Sequence, residues 1–156
     1  CQSRPSSLHA GTGLPRAASA ALSSSTACTA SAMVTERMNL FATVHTGYHF
    51  HPMHIAKLGA CMDFVSEGRF GLNVVTGASP NDFRQFGIKE RLPGPVRYAM
   101  ADEFVTLIKY LWANEDPVDF EGDYYQCYGG YVGPKPVRVP LQKPDRLSPP
   151  KMETRR

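Results

Sequence analysis

Residues 37–77 read "RMNLFATVHTGYHFHPMHIAKLGACMDFVSEGRFGLNVVTG", and how this stretch divides decides the fold. "RMNLFATV" (37–44) is apolar and has the length of a buried strand. Pro52 suits the first position of a helix, where its missing N–H costs nothing. Ile55, Leu58, Gly59, Met62 and Val65 recur at the i, i+3, i+4, i+7 spacing of one helical face, which predicts a helix over 51–68. Gly68 stands where a left-handed residue would end it. "RFGLNVVTG" (69–77) is a second short apolar run bounded by glycine, hence a second strand.

Working outward, the polar stretch 78–96 reads as a loop leading to a helix over 97–115, "RYAMADEFVTLIKYLWANE". In it Tyr98, Ala101, Phe104, Val105, Ile108, Leu111 and Trp112 share a face, with Asp102, Glu103, Thr106 and Lys109 away from it. "PVDFEGDYYQCYG" (117–129) predicts a hairpin around Glu121–Gly122–Asp123. The order strand–helix–strand–helix implies parallel strands joined by right-handed crossovers, an α/β fold. Two such units are too few for a closed barrel or a complete doubly wound sheet. With a first residue that is Cys, not Met, this leads us to expect part of a longer protein.

The ends differ in composition. Residues 1–32 are Ser/Ala-rich and low in complexity, and no acid occurs before Glu36, a bias like that of an organellar transit peptide. The chain turns Pro-rich and basic from Pro134, and 141–156 is expected to be an irregular basic tail. The folded domain is expected over 33–140. In bulk, 42% hydrophobic and 20% charged residues suit a soluble globular protein, and no apolar run approaches the roughly 18 residues of a membrane span. The net charge of +3 comes partly from the tail and implies no nucleic acid. The four cysteines form no C-x-x-C pair, and Cys61 is expected in the core. The expected location is the cytoplasm, or an organelle if the N-terminal bias is a transit signal.

In α/β folds ligands sit at the carboxyl ends of the strands, which selects the loops 45–51 and 77–97. The first carries His45, His49 and His51, with His54 just beyond, four of the five histidines. Three readings stand: pocket lining, imidazoles capping backbone groups, and a metal site. The last is least favoured, since the ten residues 45–54 include no carboxylate or cysteine. His51 is expected to cap the helix and His54 to lie in its first turn. Asn73, a polar residue in an apolar strand, either meets the imide edge of a flavin or pyrimidine or bonds a neighbouring strand. Arg97 and Tyr98 at a helix start either bind phosphate or form an exposed Arg beside a core Tyr. Asp82 would cap a turn or meet a sugar-like hydroxyl. No Walker or dinucleotide glycine spacing is present.

Taken together, "NLFATVHTGYHFHPMHIAKLGACMDFVSEGRFGLNVVTG", "NDFRQFG", "RYAMADEFVTLIKYLW", "VDFEGDYY" and "GPKPV" resemble, in that order, the bacterial-luciferase-like flavin-dependent monooxygenases, the alkanesulfonate and pyrimidine group above all. The resemblance implies part of a TIM (β/α)8 barrel: two βα units, the third and fourth of eight, plus a β-hairpin insertion and irregular termini. It implies reduced FMN supplied by a flavin reductase, O2, a small organic substrate and a homo-oligomer at full length. Residue by residue it assigns flavin contacts to Asn73, Asp82, Arg97 and Tyr98 and a catalytic place to His45, with His49 a further rim residue. It assigns no metal. The rivals are a deazaflavin-dependent oxidoreductase of the same fold and a catalytically inactive fragment that acts only by association. An isolated part of a barrel is expected to expose sheet edges and aggregate.

Overall fold

The computed structural model describes residues 20–47, 50–77 and 79–137, without the side chains of residues 20–23 and of Asp82. Its N-terminal helix α1 (Ala20–Val34) precedes strand β1 (Leu40–His45), which pairs in parallel with β2 (Phe70–Val75). The register runs from Leu40 opposite Phe70 to His45 opposite Val75, so the two strands end level. On β1 the alternation is strict: Leu40, Ala42 and Val44 are buried under the helices, while Phe41 on the other face is 67% exposed. Phe41 lies across Gly71, where any Cβ would enter its ring.

Helix α2 (Pro52–Val65) makes the crossover. It starts as expected: Pro52 follows the N-cap His51, whose Nδ1 accepts the Met53 N–H at 3.1 Å. It ends as expected too. Gly68 takes φ 81°, preceded by Glu67 at φ 54°, and its N–H donates to the Asp63 carbonyl at 2.8 Å. The buried face, however, is rotated from the expected stripe. Ala56, Ala60 and Asp63 join Ile55, Gly59 and Met62 inside, while Leu58, Val65 and Cys61 are exposed. The cause is close packing of helix α4 (Gly94–Ala113): Trp112 lies on Gly59 and donates Nε1–H to the Ala56 carbonyl at 2.9 Å, which selects small residues there.

α1 starts inside the Ser/Ala-rich segment and runs two residues past its expected end at residue 32. It packs Cys28 and Ala32 against Leu40, Ala42 and Met62, and Ser24 Oγ accepts the Thr43 N–H. Arg69 ties the end of α1 to the start of β2. Its guanidinium donates to Ala32 O, Met38 O, Thr35 Oγ1 and Ser66 O at 2.8–3.2 Å. A short helix α3 (Pro80–Gln85) replaces part of the expected loop and buries Phe83 completely. Helix α4 starts three residues before Arg97 and buries Arg97, Phe104, Leu107, Ile108 and Leu111.

The hairpin β3 (Val118–Glu121) and β4 (Gln126–Gly130) is antiparallel, and its turn is closed by Gly122 N–H to Tyr125 O at 2.9 Å. The main core joins Val44, Ile55, Phe104, Leu107, Leu111, Val118, Tyr125 and Val132. Beyond the hairpin the chain returns to the helices: Lys135 Nζ donates to the Leu111 and Asn114 carbonyls, and Val137 N–H to Asp63 Oδ2 at 2.6 Å. The two parallel strand–helix units expected from residues 37–115 are what the described residues form.

Candidate functional site

The carboxyl ends of β1 and β2 lead into 45–47 and 76–77, and the loops are joined at their base. Thr46 N–H donates to Val75 O at 3.0 Å, one step beyond the strand pairing, and Thr46 is buried. Phe83 of α3 packs against Gly47 so closely that a side chain at 47 would displace its ring.

On the sheet face away from the helices stand Phe41, Thr43 and His45 of β1 and Gly71, Asn73 and Val75 of β2. Asn73 is exposed, and its Nδ2–H donates to Thr43 Oγ1 at 3.1 Å. Of the two sequence alternatives for Asn73, the bond to the neighbouring strand is formed, and the exposed remainder of the amide lies on the open face. His45 ends β1, half-buried, on that same face. His51 and His54 occupy the cap and the exposed first turn of α2. His49 and the Asp82 side chain lie outside the described residues; the Asp82 backbone is in α3.

Arg97 and Tyr98 reverse the simpler expectation, since the Arg is 7% exposed and the Tyr 67%. The Arg97 side chain reaches back toward the helix start, the direction helical side chains take. Nη1 donates to Thr76 O, Thr76 Oγ1 and Gly77 O at 2.9–3.2 Å, and Nε to Leu92 O at 3.0 Å. Arg97 thus clamps the loop after β2, and Tyr98, one residue or about 100° further round the helix, faces outward.

Two residues with site roles escaped the sequence reading. Glu103 accepts the backbone N–H groups of Asp123, Tyr124 and Tyr125 at 2.6–3.2 Å, holding the hairpin turn against α4. Tyr125 is buried, packs edge-on to Phe104 at 5.6 Å, and donates its hydroxyl to the Thr46 carbonyl at 3.1 Å. Burial, and then the Glu103 carboxylate, push the Tyr125 phenol up to about 12, so it stays a donor throughout the neutral range. Neither role has a local signal, because both arise when the hairpin docks. His51 adds a second tie. A backbone N–H fills Nδ1, so Nε2 carries the proton and donates to Gln126 O at 2.9 Å.

An exposed amide beside a hydroxyl, next to an imidazole on a sheet face that no described helix covers, fits the imide edge of a flavin-type ring. Among the described residues no group of three or more His, Cys, Asp or Glu is placed to hold a metal, and no helix is long and apolar enough to cross a membrane.

Paired parallel strands with helices on one face and polar residues at their carboxyl ends define a segment of an α/β barrel enzyme fold. The chain belongs to the luciferase-like monooxygenase family, whose sequence model matches residues 8–149. It is 38% identical over 109 residues to the dibenzothiophene-sulfone monooxygenase of Rhodococcus erythropolis, covering 70% of this chain and 24% of that protein. To pyrimidine monooxygenase RutA of Acinetobacter baylyi it is 35% identical over 109 residues, covering 67% and 28%. Among solved structures, a riboflavin lyase with modified FMN matches with TM-score 0.66 and 26% identity over 74% of this chain and 30% of its own. An F420-dependent secondary alcohol dehydrogenase matches with TM-score 0.61 and 27% identity, over 70% and 33%. The chain therefore spans about a quarter to a third of these relatives.

Proposed function

We propose that this chain forms part of the flavin site of a monooxygenase that oxygenates a small organic substrate with O2, using reduced FMN from a separate flavin reductase. The observation that carries this reading is the cluster Asn73, Thr43 and His45 on the uncovered face, at the level ends of two parallel strands. In this reading Asn73 holds the imide edge of the ring, oriented by its bond to Thr43. His45 borders the reacting face. Tyr98 offers its exposed phenol at the start of α4, where the helix dipole favours phosphate. Arg97 adds its charge while fixing the loop at Thr76 and Gly77, and Asp82 contacts the ribityl chain. When bound, reduced FMN supplies the electrons and the atom at which O2 reacts. The protein's part is to orient the ring and keep water from it.

A second reading, hydride transfer with a deazaflavin, is favoured by the likeness to the F420-dependent dehydrogenase. Grafting residues 33–137 in place of the matching segment of the Rhodococcus sulfone monooxygenase separates the two. The chimera is expected to bind reduced FMN and consume O2 with the sulfone. Oxidation of an alcohol with F420 and no O2 uptake would overturn the FMN reading. Asn73→Ala with Arg97→Ala is expected to weaken reduced-FMN binding in that chimera at least about tenfold, the loss of roughly 1.4 kcal/mol. Unchanged affinity would remove the site assignment. The isolated chain, which carries a small part of the barrel, is expected to bind little flavin and turn nothing over.

A further inference from the structure

Helix α4 holds both loops that leave the parallel strands, by two different routes. The direct route is Arg97, whose guanidinium takes the Thr76 and Gly77 carbonyls. The second passes through the hairpin. Glu103, six residues or less than two turns further along α4, accepts three successive backbone N–H groups of the turn. A carboxylate shared among three amides is a strong, charge-assisted anchor. From that anchored turn Tyr125 reaches across to donate to the carbonyl of Thr46, the residue after His45. The adjacent Gln126 carbonyl takes the Nε2–H of His51 at the far end of the same loop. The Tyr125 ring is fixed on its other sides by Phe104 and by the His51 ring, edge-on at 6.0 Å.

We propose that Tyr125, anchored through Glu103, is a positioning residue that sets the place of His45 and its loop against the Asn73 strand. This rests on the flavin reading above for its consequence in catalysis, and on the structure alone for its mechanical part. Buried Thr46 has its N–H on Val75 of β2 and its C=O on Tyr125. One peptide unit is held by the neighbouring strand and the next by the hairpin. Taking away the phenol hydroxyl leaves the Thr46 carbonyl buried without that donor and frees the loop to shift. The strand below it stays paired.

Two measurements test this. The first uses the 156-residue chain and needs no cofactor: amide hydrogen exchange at Thr46, with Ala42 and Val44 as strand controls. Tyr125→Phe and Glu103→Ala are each expected to speed exchange at Thr46 about tenfold while the β1 controls hold, the signature of local opening. Tyr128→Phe, an exposed hairpin phenol, is expected to change nothing. Equal acceleration at all three amides means global destabilisation and overturns the proposal, as does no change at Thr46. The second uses the chimera. Tyr125→Phe is expected to lower kcat roughly tenfold with little effect on the KM for the substrate, because a small misplacement of a reacting group is costly. In His45→Ala the same change is expected to cost less than threefold, since Tyr125 would act through that residue's loop. Additive losses would show that Tyr125 acts elsewhere. A chimera that fails to bind reduced FMN defeats the flavin reading, while the exchange experiment still decides the positioning.

Discussion

Arg97 carries the largest local stake, because its charge is buried and satisfied by carbonyls of two loops. Arg97→Ala removes those donors and is expected to cost about 2–4 kcal/mol in urea unfolding of the chain, since a charge-assisted bond is lost and acceptors are left buried. Arg97→Lys should recover only a fraction, as an ammonium cannot reproduce the fork that reaches Leu92 and Gly77 together. A loss below about 0.5 kcal/mol for Arg97→Ala, the range of ordinary surface changes, would mean that the clamp contributes nothing. Tyr125 predicts a pH dependence with a definite sign. Its folded pKa of about 12 lies above the ordinary 10.0, so the neutral phenol is the form the fold favours. That stabilisation is complete below pH 10 and disappears as the pH rises towards 12. It amounts to roughly 3 kcal/mol at most, from about 1.4 kcal/mol for each of the two pKa units. Tyr125→Phe should flatten the alkaline fall in the denaturation midpoint; an identical fall in both proteins would contradict it.

At the level of elements, α2 and α4 approach each other through small residues, and Gly59 shows which effect governs. In an exposed helix Gly→Ala gains about 1 kcal/mol in helix propensity. Here the new Cβ would stand 2.9 Å from Trp112 Cζ2, and Trp112 is held by its bond to the Ala56 carbonyl. Overpacking of about 1–3 kcal/mol is therefore expected to exceed the propensity gain, and Gly59→Ala should lower the thermal midpoint. A higher midpoint would show that Trp112 gives way. The same contact explains what the sequence could not display. The periodicity of Ile55, Gly59 and Met62 was enough to place α2, but the rotation that buries Ala56 and Ala60 depends on Trp112, 56 residues beyond Ala56. Helix α1 offers no apolar stripe, because its packing runs through Cys28, Ala32 and a serine hydroxyl. At six residues α3 is too short for a period to register. In the candidate site, the places of His45 at the end of β1 and of Asn73 within β2 were legible from the strand pattern; the exchange of Arg97 and Tyr98 was not, because it turns on where α4 starts.

For the whole molecule, the described residues leave each parallel strand with one neighbour and the face of Phe41, His45 and Asn73 without a helix over it. Phe41 at 67%, Phe64 at 59% and Met33 at 73% exposure add apolar surface of the kind that promotes association. Unpaired strand edges add a second drive, because their N–H and C=O groups are templates for another strand. These two drives act at different places and can be separated. Phe41→Lys reduces the apolar face and sets a charge beside the edge, without touching the Thr46–Val75 bond or the helix-covered core. We expect the purified chain to show a mass by light scattering that rises with concentration, and Phe41→Lys to lower that rise. If the mass is that of one chain at every concentration, the exposed sheet drives no association. If Phe41→Lys leaves a rising mass unchanged, the edges rather than the face are responsible. A proline placed at Thr43 should then suppress association, since on β1 it removes the N–H that Ser24 now accepts and breaks the strand as a template.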